Sequence, residues 1–290
     1  MKKINILIPV YNDWESLQKL LYEINYSIKD IKNIIFECLI INDASTQELP
    51  IIKVPTNIKS IKLINMNINK GHARCNAFGI RYLAKKNDYD YAILMDGDGE
   101  DRPEEVKLLV EKALKEENIS IVARRIKRSE GLFFQFLYQA HKIITFIFTG
   151  KNINFGNYSC LTKSDIKHLS TKESLWSSFS GSVKYHIKNI KFVNSIRGLR
   201  YFGPSKMSLF KLGIHSFSII AVFKKTVFFR SAILIILSTY FNSTMSPLIV
   251  IFQFLLIVFN LLIYLVSLRE NKNELLESDK NEKNSKVYLH

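Results

Sequence analysis

Apolar residues in the first half of the chain follow two alternating patterns. Short unbroken runs, "KINILIPV", "FECLIIND", "SIKLINM", "YAILMD" and "SIVARR", read as buried strands. Between them lie segments whose apolar residues recur every three or four positions: Leu17, Leu20, Leu21, Ile24 and Ile28 in one, Val106, Leu109, Val110 and Ala113 in another. "GHARCNAFGIRYLAKK", opening at a glycine, reads as a further helix. Strands alternating with helices at this spacing predict an α/β fold, a mostly parallel sheet covered by helices on both faces. Such sheets bind ligands beyond the carboxyl ends of their strands. Four polar clusters fall at those ends: "YND", "NDAST", "DGDGED" and "ARR".

The last third is patterned differently. Residues 227–241, "VFFRSAILIILSTYF", are apolar apart from Arg230, and residues 247–268 carry no charge. The second run reaches the ~20 residues that span a bilayer core. The first does so if it starts near Lys225 and Arg230 snorkels toward the headgroups. Lys206, Lys211, Lys224, Lys225 and Arg230 precede the pair and Arg269 and Lys272 follow it, which predicts both flanks in the cytoplasm and "NSTMS" as an external turn. The expected organisation is a cytoplasmic ligand-binding α/β domain over residues 1–205, an interfacial amphipathic segment over 206–225, a two-helix transmembrane hairpin over 226–268 and a loose polar cytoplasmic tail over 269–290. A buried hairpin in a soluble core is the competing reading, and the long uncharged run weighs against it.

Charge sharpens this only slightly. The chain has 41 Lys+Arg against 26 Asp+Glu, a net +15, which suits nucleic acid, an anionic membrane face or a phosphorylated substrate. No nucleic-acid-binding motif is recognisable, so nucleic acid is not an expected partner. Cys38, Cys75 and Cys160 are widely spaced and form no zinc or disulfide pattern. "INILIPVY" is too short for the apolar core of a secretion signal, which predicts a domain that stays in the cytoplasm.

Against this basic background, "AILMDGDGEDRPEE" gathers six acids directly after a strand. Asp96 and Asp98 stand two residues apart at the ligand edge of the sheet, with Gly97 between them allowing close approach to the backbone. Carboxylates this close repel each other unless a cation sits among them. Hard oxygen donors suit Mg²⁺ or Mn²⁺, which take one or two carboxylates and complete their shell with water and phosphate. Asp101 has an alternative as a helix cap, since Glu104 follows at capping-box spacing. Lys70 and Arg74 flank Gly71 at a helix start, where backbone N–H groups favour anions, with a plain surface role as the alternative.

"ILIPVYND", "IINDAST", "NKGHARCNAFG" and "LMDGDGEDRPEE", in that order, resemble the family 2 inverting glycosyltransferases of GT-A type fold. With "VARR" and "RYFGPSKMSLFKLG", the chain is most similar to the branch of dolichyl-phosphate mannosyltransferases and bacterial polyprenyl-phosphate glycosyltransferases. The resemblance implies that Pro9, Tyr11 and Asp13 flank the nucleotide, that Asp43 recognises the base, and that Gly71 and Arg74 belong to the donor site. It implies Asp96 and Asp98 as the D-x-D pair, with Glu100 as a further metal ligand where relatives often carry Gln. Arg124 is implied as the diphosphate contact, with a solvated basic face including Arg125 and Arg128 as its alternative. Arg200, Ser205 and Lys206 are implied as the acceptor-phosphate patch. The implied partners are a nucleotide-sugar donor, a polyprenyl-phosphate acceptor and the membrane; relatives with such helices often assemble, leaving a homo-oligomer open.

One chemical argument favours a phosphate acceptor independently. An inverting displacement onto a hydroxyl needs a carboxylate base, whereas a phosphate monoester, with a second pKa near ~6, already carries an ionised nucleophilic oxygen. Between Asn152 and Gly203 the only acids are Asp165 and Glu173. A saccharide or lipid hydroxyl acceptor, and a non-catalytic membrane scaffold on a degenerate fold, remain as alternatives. One departure stands out: Asn157, in "NFGNYSCLTKSD", replaces an arginine of the relatives, which leaves the sugar open.

Overall fold

A computed structural model describes residues 1–127, 132–204, 208–240 and 246–289. The chain runs β1 (Lys2–Val10), α1 (Trp14–Ile28), β2 (Ile34–Asn42), β3 (Ser60–Met66), α2 (His72–Lys86), β4 (Tyr91–Leu94), α3 (Glu105–Lys115) and β5 (Ser120–Lys127). Every strand and helix anticipated in this half is present. It continues through α4 (Leu132–Thr149), β6 (Phe155–Thr162), α5 (Lys163–Leu169), α6 (Phe179–His186), β7 (Ile190–Ile196), α7 (Leu209–Ala221), α8 (Lys224–Tyr240), α9 (Pro247–Ser267), α10 (Lys272–Leu276) and β8 (Glu282–Leu289).

The strands form one sheet in the order β7-β5-β6-β4-β1-β2-β3-β8. Its centre is parallel, β4-β1-β2-β3, with β6 inserted antiparallel between β4 and β5. Period-two alternation sorts the central strand between two cores. Ile4, Ile6 and Ile8 of β1 face α1 and α3, while Leu7 faces α2 together with residues of α5, α6 and α7. All four are fully buried, each worth about 1.5–3 kcal/mol relative to exposure. Burial on both faces is why these strands read as continuous apolar runs.

The C-terminal residues depart from expectation. Where described, to Leu289, the expected loose tail is folded: α10 packs Leu275 into the core beside α2, and β8 pairs antiparallel with β3. Three asparagines in register tie this edge, Asn42 donating to Asn65 (2.7 Å) and Asn65 to Asn284 (2.6 Å). Asn281 clamps the loop after β3, donating to the Ile68 carbonyl (2.9 Å) and accepting from the Ile68 amide (3.0 Å). These long-range bonds hold a polar segment that has little apolar burial of its own.

Of the expected interfacial segment, 206–225, residues 208–225 are described. α7 is exposed at Phe210, but Ser218 to Phe223 are buried against the domain. Among the described residues one helix, beginning at Pro247, is long and apolar enough to cross a bilayer, and its apolar window is largely unburied. The second crossing of the expected hairpin falls on α8, which is 17 residues long where described. Arg230 of α8 does not reach outward; it donates to the carbonyls of Phe146 (3.4 Å) and Ile147 (2.7 Å), capping the C-terminal end of α4. Phe136, Ile143, Phe146 and Ile147 of α4 are exposed, on an apolar helix that the sequence reading passed over.

Truncation after Asp279 uncovers the β3 edge and removes the Asn281 clamp. The expected result is a thermal midpoint lowered by about 5 °C, read by a melting scan in detergent, with increased aggregation through the exposed edge.

Candidate active site

The loops at the carboxyl ends of β1 and β2 are fastened to each other. Asn12 accepts from the amides of Thr46 (2.8 Å) and Gln47 (3.0 Å), and its own amide donates to Ser45 (2.8 Å). Asn12 and Ala44 both adopt left-handed backbone (φ 49° and 56°). For alanine that costs about 1–2 kcal/mol, and the Asn42 side chain, accepting from the Ser45 amide, helps hold it. The result leaves Tyr11 exposed at the rim, while Pro9 stays within β1.

Asp43 is buried, and its two carboxylate oxygens accept from the amides of Lys70 and Gly71, both at 2.8 Å. It therefore holds the loop that opens α2, at a glycine with φ 89°. Arg74, one turn on, lies 5.6 Å from the centre of the Trp176 ring, whose indole donates to Glu274 (3.1 Å). Glu274, in the segment after the apolar helix, also lies 4.0 Å from Lys70 in the loop that opens α2.

The acidic loop follows β4. Asp96 is half-buried, with His72 Nε2 3.2 Å and Asn157 Nδ2 3.1 Å from its Oδ1. Burial opposes its charge, but His72 and Arg125, with the Asn157 hydrogen bond, outweigh burial and hold Asp96 well below the usual carboxylate range. Reciprocally, burial works against a charged His72 and Asp96 overrides it, raising the imidazole pKa. Asp98 is pushed up to about 6 by burial and by the charges of Asp96 and Glu100. Its Oδ1 accepts from the Glu100 amide (3.1 Å) and its Oδ2 from Arg200 (2.8 Å). Gly97 lets the loop lie against β1, for a Cβ there would sit 3.1 Å from the Pro9 carbonyl. Gly99, at φ 89°, accommodates the Tyr201 ring, which would lie 2.5 Å from any Cβ.

Asp101 is not a helix cap. It is 3% exposed, accepts from the Asp96 amide (3.0 Å) and faces Arg125 at 3.4 Å. Burial and the neighbouring Asp96 push its pKa up to about 7.

Several expected residues converge here and others do not. Asp13, Asp96, Asp98, Glu100 and Arg200 form one cluster: Arg200 pairs with both Asp13 and Asp98, and Glu100 pairs with Arg197. Arg124 does not join it. Adjacent strand residues face opposite sides, so only one of Arg124 and Arg125 turns to the acids, and the β5 register shifts at this point. Arg124 is exposed, donating to Asn194 (2.8 Å) with its guanidinium 5.9 Å from the Phe192 ring centre; Arg125 faces the cluster. Ser205 and Lys206 lie outside the described residues. His72, Arg125 and Arg197 escaped the sequence reading of the site. For His72 a signal existed: it follows Gly71 at a helix start on the ligand edge.

Among the described residues no three His, Cys, Asp or Glu side chains gather closely enough to hold a metal alone. The donor set fits a hard divalent ion that takes one or two carboxylates and completes its shell from a diphosphate.

Fold and site together define a class: a mixed α/β sheet of the GT-A kind with its acids at the carboxyl edge. The same fold is found in glucosyl-3-phosphoglycerate synthase from Mycobacterium tuberculosis, solved with Mn²⁺, UDP and phosphoglyceric acid. That structure shares 14% identity over 78% of each chain at a TM-score of 0.52. Residues 5–179 match Glycosyl transferase family 2, and the chain belongs to that family. Among curated relatives, the undecaprenyl-phosphate 4-deoxy-4-formamido-L-arabinose transferase of Proteus mirabilis is 26% identical over 58% of this chain and 50% of its own. The Salmonella choleraesuis enzyme of the same name is 29% identical over 56% and 48%. The chain spans about half the length of these curated relatives.

Replacing Arg125 with Met leaves Asp101 buried without its cation and is expected to cost about 2–3 kcal/mol, reduced from a full broken ion pair because Asp101 can take up a proton. Arg124→Met is expected to stay within about 0.5 kcal/mol. Chemical denaturation of the two variants checks the difference.

Proposed function

We propose that this protein is a membrane-anchored inverting glycosyltransferase that moves a sugar from a nucleotide-sugar donor to a polyprenyl phosphate, with Mg²⁺ or Mn²⁺ at Asp96, Asp98 and Glu100. The observation that carries the choice of acceptor is where the other acids lie. Asp165 bonds Ser120 (2.5 Å) at the amino end of β5, the far end of the sheet from the acidic loop, and Glu173 is exposed. Asp165 is therefore not placed to deprotonate a hydroxyl acceptor, and a phosphate needs no base. The names of the curated relatives favour the same acceptor class.

In this reading, the metal ion when bound neutralises the diphosphate leaving group. His72 and Asn157 hold Asp96 in place. Asp43 acts through the loop it holds, presenting the amides at the start of α2 to an anion. Arg125 keeps Asp101, and through it the backbone of Asp96, fixed. Arg200 reaches the same cluster from the side of α7 and is suited to a phosphate by its planar fork.

Anchoring rests on α9 and on topology. Residues before α8 belong to the domain, and β8, after α9, belongs to the same sheet. A chain that crosses at α9 must therefore cross back, and α8, packed beside α9, supplies the return. Exposed apolar residues on α4, joined to α8 through Arg230, extend the surface offered to lipid.

Two experiments test this. Membranes incubated with a panel of nucleotide sugars, polyprenyl phosphate and Mn²⁺ or Mg²⁺ are expected to give lipid-linked product, and Asp98→Ala to lower it by on the order of 10²-fold while remaining folded. Product that forms only when a saccharide acceptor is added would overturn the acceptor assignment. For topology, a cysteine replacing Ser246 is expected to react with an impermeant maleimide in intact cells, and one replacing Lys283 only after lysis. Equal labelling of both would remove the hairpin.

A further inference from the structure

Residues 197–202, which follow β7, lie as a strap across the acidic loop. The Gly198 amide donates to the Glu100 carbonyl (2.8 Å) and the Tyr201 amide to the Asp98 carbonyl (2.9 Å), so the two backbones are fastened directly. The Tyr201 ring covers Gly99, and its hydroxyl donates to Glu23 of α1 (2.5 Å). From this seat Arg197 pairs with Glu100. Arg200 distributes its guanidinium over three acceptors: Asp98 Oδ2 (2.8 Å), the Asp13 carboxylate and the Phe202 carbonyl (2.9 Å). Both guanidinium side chains are less than a fifth exposed.

We propose that Arg200 and Arg197 are tethered counter-cations of the metal site, which a divalent ion must displace. Asp98 Oδ2 cannot serve a guanidinium and a metal ion at once in the same direction, and Glu100 is engaged by Arg197 in the same way. An arriving ion replaces the two guanidinium charges with its own two, so the carboxylates remain compensated throughout. The released Arg200 stays tethered by the strap, with its fork free for a phosphate. Two consequences follow. The cluster does not need a metal to be stable in the folded protein, and the arginine assigned to the acceptor phosphate is withheld until the ion is in place. The inference rests on the reading of Asp98 as a metal ligand given above.

The test is a calorimetric titration of Mn²⁺ alone into the full chain in detergent, comparing wild type, Arg200→Gln, Arg200→Lys and Asp98→Asn, with a melting scan on each. Arg200→Gln is expected to bind Mn²⁺ about tenfold more tightly than wild type, because the competing cation is gone. Arg200→Lys, which keeps a tethered charge, is expected to fall between the two, and Asp98→Asn to lose the binding. Should Arg200→Gln fail to fold, Arg197→Gln carries the same expectation through Glu100. Binding that is unchanged or weaker in the Gln variants, while still lost in Asp98→Asn, overturns the exchange and leaves the metal reading standing. Absence of Asp98-dependent binding in every variant overturns both.

Discussion

The arrangement of this protein turns on compensating carboxylates that the sheet's carboxyl edge forces close together. Asp96, Asp98 and Asp101 lie within six residues, all at least half-buried. At an effective dielectric constant near 20, two like charges 4 Å apart repel by about 4 kcal/mol, comparable to much of a domain's net stability. Each acid therefore draws a cation from a different part of the chain: His72 from the start of α2, Arg125 from β5, Arg200 from the strap beyond β7. Meeting this local demand pins three distant segments to one loop. The site is assembled by the same interactions that close this edge of the domain.

How much of this was legible follows from which physical signal each feature leaves. β1 to β5 and α1 to α3 left strong ones, because strands buried on both faces are apolar throughout and helices covering them are apolar on one side. α4 left a poor one: its exposed Phe136, Ile143, Phe146 and Ile147 add apolar residues to the face turned from the domain, so no single stripe stands out. β8 left almost none, since an edge strand mostly exposed to water has no buried face to mark. Its place is set by partners such as Asn65 and Asn284, more than two hundred residues apart. In the site, the acids were plain from their density, but adjacent arginines on a strand are indistinguishable without the register, which is how Arg124 took the place of Arg125. Arg200 and Asp13 were each legible as motif residues, and their pairing across 187 positions was not.

The return of β8 to the sheet also changes what the apolar helices are attached to. The chain leaves the domain through α7, buried from Ser218 to Phe223, and comes back through α10, whose Leu275 sits in the same core. Lys224 and Glu270, at the two ends of the α8 and α9 pair, join at 2.6 Å. The helices are thus a closed loop held at both ends rather than an anchor trailing from one. Because the segment after α9 carries Glu274 and Asn281 to the loop that opens α2, the apolar helices are tied to that loop as well as to the core. In the proposed transfer from a soluble nucleotide to a lipid, both substrates would then be referred to one rigid frame.

Within the acidic loop the carboxylates divide between structure and chemistry, and the division can be argued from their surroundings. Asp101 is almost wholly buried and spends its oxygens on the Asp96 amide and Arg125, so it shapes the loop and has no face to offer a ligand. Asp96 is held in its charged form by His72 and Asn157, a fixed anion at a fixed place. Asp98 is different: burial and like charges push against its ionisation, and it is relieved by the Glu100 amide and by the Arg200 guanidinium, a cation that another cation can replace. A carboxylate kept ionised by a removable cation is the one best placed to accept a stronger one. That asymmetry between neighbours two residues apart singles out Asp98 as the position where folding and the proposed metal chemistry meet.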